Sequence, residues 1–364
     1  MSKIIAREEL KGIKPYALGK SLEEIKTDYN LQVIRKMSDN ENVYGCSPQV
    51  REAISKNLNQ LFYYPDGTTS TLISKLARFY NVPKSQFIIG NGSEEMIRLL
   101  TRAYIRHGDE AIMADITFPR YETNVVIEGG QPIKVPLNNG THDLDAMLEA
   151  VTEKTKMVFV CNPNNPTGTI VGKEELFDFI KRVPENIIVV VDEAYYEYVM
   201  TDDYLETLPL LEQFPNLIVL RTFSKIYGLA GLRVGYGIMA EDIVTELAKV
   251  KDVFNVNHLA QHAASVALED QGFIKHCAKK NSEERVYVSK ALTALGMQVY
   301  PSETNFLFVC SKQPLVTLLM EKGFIVRGLQ MSGWAEAFRM TLGTRKDNDA
   351  FIETIGQFLK ESVV

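Results

Sequence analysis

Three short runs, 157–161, 187–191 and 217–221, contain almost nothing but apolar and β-branched residues. A strand with one wet face alternates apolar and polar residues, so an unbroken apolar strand is covered on both faces. Such strands belong to a parallel sheet with helices on either side. Residues 86–89, 111–114 and 133–136 read as further strands, and 94–105, 121–128 and 144–150 as amphipathic helices between them. The expected fold class is α/β, a three-layer sandwich with a mostly parallel central sheet.

After residue 255 the pattern changes. Long helical stretches at 258–269 and 273–295 precede short strand-like runs at 298–300, 306–310, 324–327 and 337–342, and the chain closes on a helix at 347–360. A chain of 364 residues is long for one core. The expected organisation is a large α/β domain over 43–255 and a smaller α+β domain formed by 1–42 with 256–364. No repeat or Gly/Ser-rich linker separates them, so the two are expected to pack directly.

Charge and composition remove several functional classes. The net charge of −6 offers no electrostatic footprint for nucleic acid. The first ten residues lack a signal-peptide core and no later stretch approaches a membrane span, which points to a cytoplasmic protein that binds neither nucleic acid nor membrane. Cys46, Cys161, Cys277 and Cys310 lie far apart, as expected of thiols rather than disulfides or a zinc ribbon. His258 and His262 have helical spacing but no intervening Glu at the zincin position, so packing is the expected role and no metal is expected.

Four segments carry chemistry. Lys225 lies in Thr222-Phe223-Ser224-Lys225-Ile226-Tyr227-Gly228-Leu229-Ala230-Gly231-Leu232, with Arg233 after it. A lysine among small and apolar neighbours is either a stem lying on the surface or an amine whose pKa desolvation lowers. Gly90-Asn91-Gly92-Ser93-Glu94-Glu95 joins a strand to a helix, a place where open amides receive a phosphate; it is equally a tight turn with Ser93 as N-cap. It matches neither the dinucleotide fingerprint nor the P-loop. Asn162-Pro163-Asn164-Asn165-Pro166-Thr167-Gly168 follows the 157–161 strand, where open α/β folds bind ligands, although a rigid turn reads the same way. Asp192-Glu193-Ala194-Tyr195 ends another strand, and its first carboxylate is either a helix cap or an anion facing a cation.

Taken in order, Gly92-Ser93, Asn165, Asp192 with Tyr195, Ser224-Lys225 and Arg233 resemble the aspartate aminotransferase superfamily, the type I fold of pyridoxal phosphate enzymes. The resemblance is strongest to the histidinol-phosphate aminotransferase family. It extends to Gly12-Ile13-Lys14-Pro15-Tyr16, Asn40-Glu41-Asn42-Val43-Tyr44-Gly45, Tyr64-Pro65-Asp66-Gly67, Ser302-Glu303-Thr304-Asn305-Phe306 and Phe338-Arg339-Met340-Thr341-Leu342-Gly343-Thr344. It implies pyridoxal 5'-phosphate as cofactor, with Lys225 bonded to its aldehyde and then acting as acid and base, and Asp192 on its ring nitrogen. Asn165 and Tyr195 would reach the ring's phenolic oxygen, and Phe118 would lie on the ring face.

The same resemblance assigns the cofactor phosphate to the amides of Gly92, Ser93 and Glu94, the hydroxyl of Ser224 and the guanidinium of Arg233. Tyr64 would reach the neighbouring subunit's phosphate, which requires a homodimer with shared active sites. Arg339, Arg327 and Tyr16 would bind the substrate anion, with Asn305 and Asn257 as possible lining residues. Ile116, Val43 and Cys46 stand where the family commonly has proline, a departure near the substrate entrance. The implied reaction transfers an amino group between a small-molecule donor, histidinol phosphate, and a 2-oxo acid acceptor, 2-oxoglutarate. Aromatic amino acid transamination, phosphothreonine-type decarboxylation and a non-catalytic sensor module are the alternatives.

Overall fold

The structure, a computed structural model, describes residues 4–15, 19–329 and 336–361. Its first strands are β1 (Arg35–Lys36), β2 (Phe87–Gly90), β3 (Glu110–Ala114), β4 (Gln131–Val135), β5 (Thr155–Cys161), β6 (Ile188–Asp192), β7 (Leu217–Thr222) and β8 (Gly235–Ile238). They are followed by β9 (Gln298–Val299), β10 (Phe306–Ser311), β11 (Phe324–Ile325), β12 (Arg327–Leu329) and β13 (Glu336–Thr341). One seven-stranded sheet has the order β2-β8-β7-β6-β5-β3-β4. Neighbours from β7 to β4 pair in parallel, and β8 runs antiparallel to both β7 and β2.

Alternation along the central strands explains their unbroken apolar sequences. Val158, Val160, Val189, Val191, Leu217 and Val219 join the core on one face, with Leu72 and Leu76 of the Ser70–Tyr80 helix and Leu176 and Phe179 of the Lys173–Arg182 helix. Met157, Phe159, Ile188, Val190, Ile218 and Leu220 join the core on the other, against the Ser93–Tyr104, Arg120–Ile127 and Glu241–Val250 helices. Each fully buried Val, Leu or Phe side chain contributes about 1.5–3 kcal/mol. A polar residue at any of these positions would therefore disturb one helical layer whichever way it points.

Strand β8 was not foreseen. It is short, and its two glycines hide its β character from pattern reading. Packing explains one of them: a Cβ on Gly235 would lie 2.5 Å from the Ser93 amide nitrogen. The strand therefore passes directly beneath the 90–95 turn.

A second sheet, β12-β13-β10-β9, is antiparallel throughout. Its Leu307, Val309, Phe338 and Met340 share a core with Val288 and Leu292 of the Gln271–Ala294 helix and with Phe351 and Ile355 of the Arg345–Glu361 helix. The 324–327 run divides between two sheets, because β11 leaves β12 to pair in parallel with β1. That pairing ties the segment before the large sheet to the second unit. The His258–Ala267 helix buries Ala260, Ala263 and Ala264 in the core of the large sheet. The 24-residue Gln271–Ala294 helix starts in that core through Ile274 and Cys277 and ends in the other through Val288 and Leu292. At roughly 1.5 Å per residue it is a rigid strut between the two.

All four cysteines are free thiols. His258 and His262 stack edge to face at 4.4 Å. Among the described residues no cluster of three or more metal-ligating side chains forms, and no helix is long and apolar enough to cross a membrane.

Candidate active site

Parallel strands β5, β6 and β7 end side by side, and the loops leaving those ends carry Asn165, Tyr195 and Lys225. Ligands of open α/β sheets bind at such carboxyl ends. A cavity there is lined by Ser93, Phe118, Asn165, Asp192, Lys225 and Arg233, with Glu94, Tyr195 and Ser224 also on its wall. Distant segments thus bring together most of the residues picked out in the sequence.

Lys225 is half-buried, and its Nζ donates to the Asp39 carbonyl oxygen at 3.1 Å. Burial, with the positive charges of Arg339 and Arg233, brings its pKa down to about 8, although Glu41 and Asp39 pull the other way. Roughly a tenth is then free amine at pH 7, far more than for an ordinary lysine. The apolar neighbours anchor the loop: Phe223, Ile226 and Tyr227 are core residues. Gly228 has φ +70° and a Cβ there would fall 2.1 Å from the Gly45 carbonyl oxygen, while Asn42 Nδ2 donates to the Ile226 carbonyl at 2.7 Å. The 40–45 segment is thus a bracket for the lysine loop.

Asp192 is buried at the end of β6. It does not cap a helix; the Tyr121 hydroxyl donates to Oδ2 at 2.7 Å and the Ala194 amide to Oδ1 at 3.1 Å. Burial raises its pKa against those two bonds and the field of Lys225. Both hydrogen-bond donors are neutral, so the site favours a cationic ligand atom at this carboxylate. Tyr121 was missed in the sequence, because nothing local distinguishes it from a core tyrosine.

Across the cavity an anion cradle forms. Gly92, at φ +82°, is the N-cap of the Ser93–Tyr104 helix, and no side chain caps it. Ser93 is the first helical residue and not the cap. The Ser93 and Glu94 amides are open toward a ligand, whereas the Gly92 amide, expected among the phosphate donors, closes the turn onto the Gly90 carbonyl at 2.9 Å and the Glu95 amide donates to the Gly92 carbonyl at 3.2 Å. A Cβ on Gly92 would lie 2.7 Å from Arg233 Nη2, and Arg233 Nη1 donates to Ser224 Oγ at 3.3 Å. Buried Glu95 fixes this turn by accepting from the Asn91 amide at 2.5 Å and from Asn255 Nδ2 at 2.7 Å. The Glu94 side chain pairs with Arg120 Nε at 2.5 Å.

Arg339 links the second unit to this cavity, donating from Nη1 to Asn165 Oδ1 at 2.5 Å and from Nη2 to the Ser38 carbonyl. Arg327 stands opposite Arg339 in the β12–β13 register, and both line an adjoining cavity that shares Phe118, Asn165 and Lys225 with the first. Two like charges side by side favour a bound anion. Tyr195 is buried, receives a bond from Asn40 Nδ2 at 2.8 Å, and has its phenol pKa raised by burial.

Asn305 holds the Asn40 and Glu41 carbonyls, and Asn257 caps the following helix while donating to the Leu232 carbonyl. Both support the site without lining either cavity. Tyr64 is not brought to the site; it is 81% exposed and stacks on Phe254 at 4.7 Å. Tyr16 lies outside the described residues.

Comparison with known proteins agrees with this geometry. Residues 33–355 match the family Aminotransferase class I and II. Histidinol-phosphate aminotransferase of Geobacillus thermodenitrificans is 45% identical over 98% of this chain and 98% of its own. That of Bacillus subtilis is 43% identical over 97% of this chain and 99% of its own. The crystal structure of histidinol-phosphate aminotransferase from Sinorhizobium meliloti in complex with pyridoxal-5'-phosphate superposes with a TM-score of 0.90 at 25% identity, over 97% of each chain. L-threonine-O-3-phosphate decarboxylase from Porphyromonas gingivalis shares the fold, with a TM-score of 0.80 at 24% identity over 90% of this chain. The chain belongs to the class I and II aminotransferase family, and within it to the histidinol-phosphate aminotransferases.

Proposed function

We propose that the protein is a pyridoxal 5'-phosphate-dependent aminotransferase that moves the amino group of histidinol phosphate to 2-oxoglutarate. One observation carries the reading: an amine with its pKa down to about 8, a buried carboxylate held only by neutral donors, and an open-amide cradle beside an arginine share one cavity. Those are the complements of the cofactor's aldehyde, ring nitrogen and phosphate. When bound, the cofactor supplies an aldehyde that condenses with amines and a ring that withdraws electrons from the substrate's Cα.

The residues divide that work. Ser93 and Glu94 offer amides to the phosphate at the close backbone approach that Gly92 allows, while Ser224 and Arg233 add a hydroxyl and a charge. Asp192 holds a proton on the ring nitrogen, and Tyr121 keeps that carboxylate aligned. Tyr195 and Asn165 donate to the ring's phenolic oxygen, and Phe118 covers the ring face. With the cofactor bound, Lys225 Nζ would be the amine that holds its aldehyde, and as a free amine it would carry the proton from the substrate Cα. Arg339 and Arg327 bind the substrate anion and close off water.

The same proposal includes a homodimer, with Tyr64 reaching the site of a second copy, a cytoplasmic location, and the division into units of 43–255 and of 1–42 with 256–364. Steady-state assays with 2-oxoglutarate as acceptor test the substrate. A larger kcat/KM for histidinol phosphate than for phenylalanine is expected, and the reverse order would overturn the choice.

A further inference from the structure

Asn164 is fully buried, and each polar atom of its side chain is used. Its Oδ1 accepts from Thr117 Oγ1 at 2.8 Å. Its Nδ2 donates to the Ile116 carbonyl at 3.1 Å and to Thr167 Oγ1 at 2.9 Å. Its backbone closes the 162–169 loop, the amide donating to the Thr169 carbonyl and the carbonyl accepting from the Gly168 amide, both at 2.8 Å. Thr167 meets Thr169 Oγ1 at 2.9 Å, and Thr169 donates to the Gly140 carbonyl at 2.6 Å.

This network joins the loops that leave β3 and β5, neighbouring parallel strands whose pairing sets where the loops start but not how their side chains meet beyond the sheet edge. One carries Phe118, next to Thr117; the other carries Asn165, next to Asn164. Both residues line the first cavity. Asn165 Oδ1 is occupied by Arg339, which leaves its Nδ2 as the donor available to a ligand oxygen. We propose that Asn164 and Thr117 form a positioning latch that sets Phe118 against one part of the cofactor ring and aims Asn165 Nδ2 at its phenolic oxygen. The proposal rests on the cofactor reading above.

A carboxylate or apolar side chain at 164 removes both Nδ2 donors, and a valine at 117 removes the hydroxyl without changing the shape. A donor aimed at a phenolic oxygen favours its anion, so loosening the latch raises the pH at which that oxygen loses its proton.

The test uses purified wild type, Asn164→Ala, Thr117→Val and Thr117→Ser. Without cofactor, amide exchange across 116–121 is expected to speed at least about tenfold in Asn164→Ala and Thr117→Val, and to stay near wild type in Thr117→Ser, which keeps the hydroxyl. With cofactor bound, the pH midpoint of its visible absorbance is expected to rise by about half a unit or more in the same two variants. Unchanged exchange in Thr117→Val, or faster exchange with an unmoved midpoint, would overturn the latch. A wild type with no visible band would instead count against the cofactor reading, and the exchange comparison would still decide whether the two loops are coupled. Thr117→Val keeps the experiment decisive where Asn164→Ala fails to fold.

Discussion

At Lys225 an amine is kept in a half-buried place without a carboxylate partner, and the penalty falls on its protonated form. Its folded pKa of about 8 lies below the ordinary 10.5, so protonation opposes folding below pH 8 and that opposition fades as pH rises toward 10.5. Cofactor-free Lys225→Met is therefore expected to be more stable than wild type at pH 7, by up to about 3 kcal/mol at about 1.4 kcal/mol per unit. Denaturation at several pH values should show the gap closing above pH 8; a gap that does not change with pH would contradict the account. Asp192→Asn should keep the cofactor yet lose about 10²–10³ in kcat, the scale on which one electrostatic contact acts in a transition state. Near-wild-type turnover would show that no carboxylate is needed at that position. Gly92→Ala places a methyl 2.7 Å from Arg233 at a positive φ, and should weaken cofactor binding at least about tenfold in a titration of absorbance.

Elements differ in how openly the sequence displays them. β5, β6 and β7 are legible because burial on both faces leaves their runs apolar but for Arg221, which pairs with buried Glu193, and their ends deliver Asn165, Asp192 and Lys225 to one edge. β8 is not, since Gly235 answers to the neighbouring helix start and no local pattern records that contact. The division of 324–327 between two sheets is equally a tertiary fact, set by the pairing of β11 with β1. The cradle and the lysine were readable as motifs. Tyr121 and Asn164 were not, because their roles arise from hydrogen bonds to Asp192 and Thr117 on other elements. Gly235→Val tests the crowding under the cradle: the added side chain must displace Ser93, so cofactor affinity should fall by more than the accompanying loss of stability explains. Equal affinity would mean that β8 has room to shift.

Across the whole molecule, the site borrows from both units and, in the proposed assembly, from a second chain. Arg339 and Arg327 come from the antiparallel sheet, and the Gln271–Ala294 helix fixes that sheet relative to the lysine. Phe62, Tyr63 and Tyr64 form an apolar ridge, exposed at 76%, 67% and 81%, that a second copy would cover. Phe62→Glu should shift sedimentation from twice the chain mass to a single chain and lower activity with it; an active monomer would contradict the shared site. All of these parts serve one claim, that the fold exists to present Lys225 to the cofactor aldehyde. Borohydride reduction of the cofactor-loaded protein, followed by peptide mass analysis, tests it most directly. The account predicts one pyridoxyl group, on Lys225; recovery on another lysine, or on none, would contradict it.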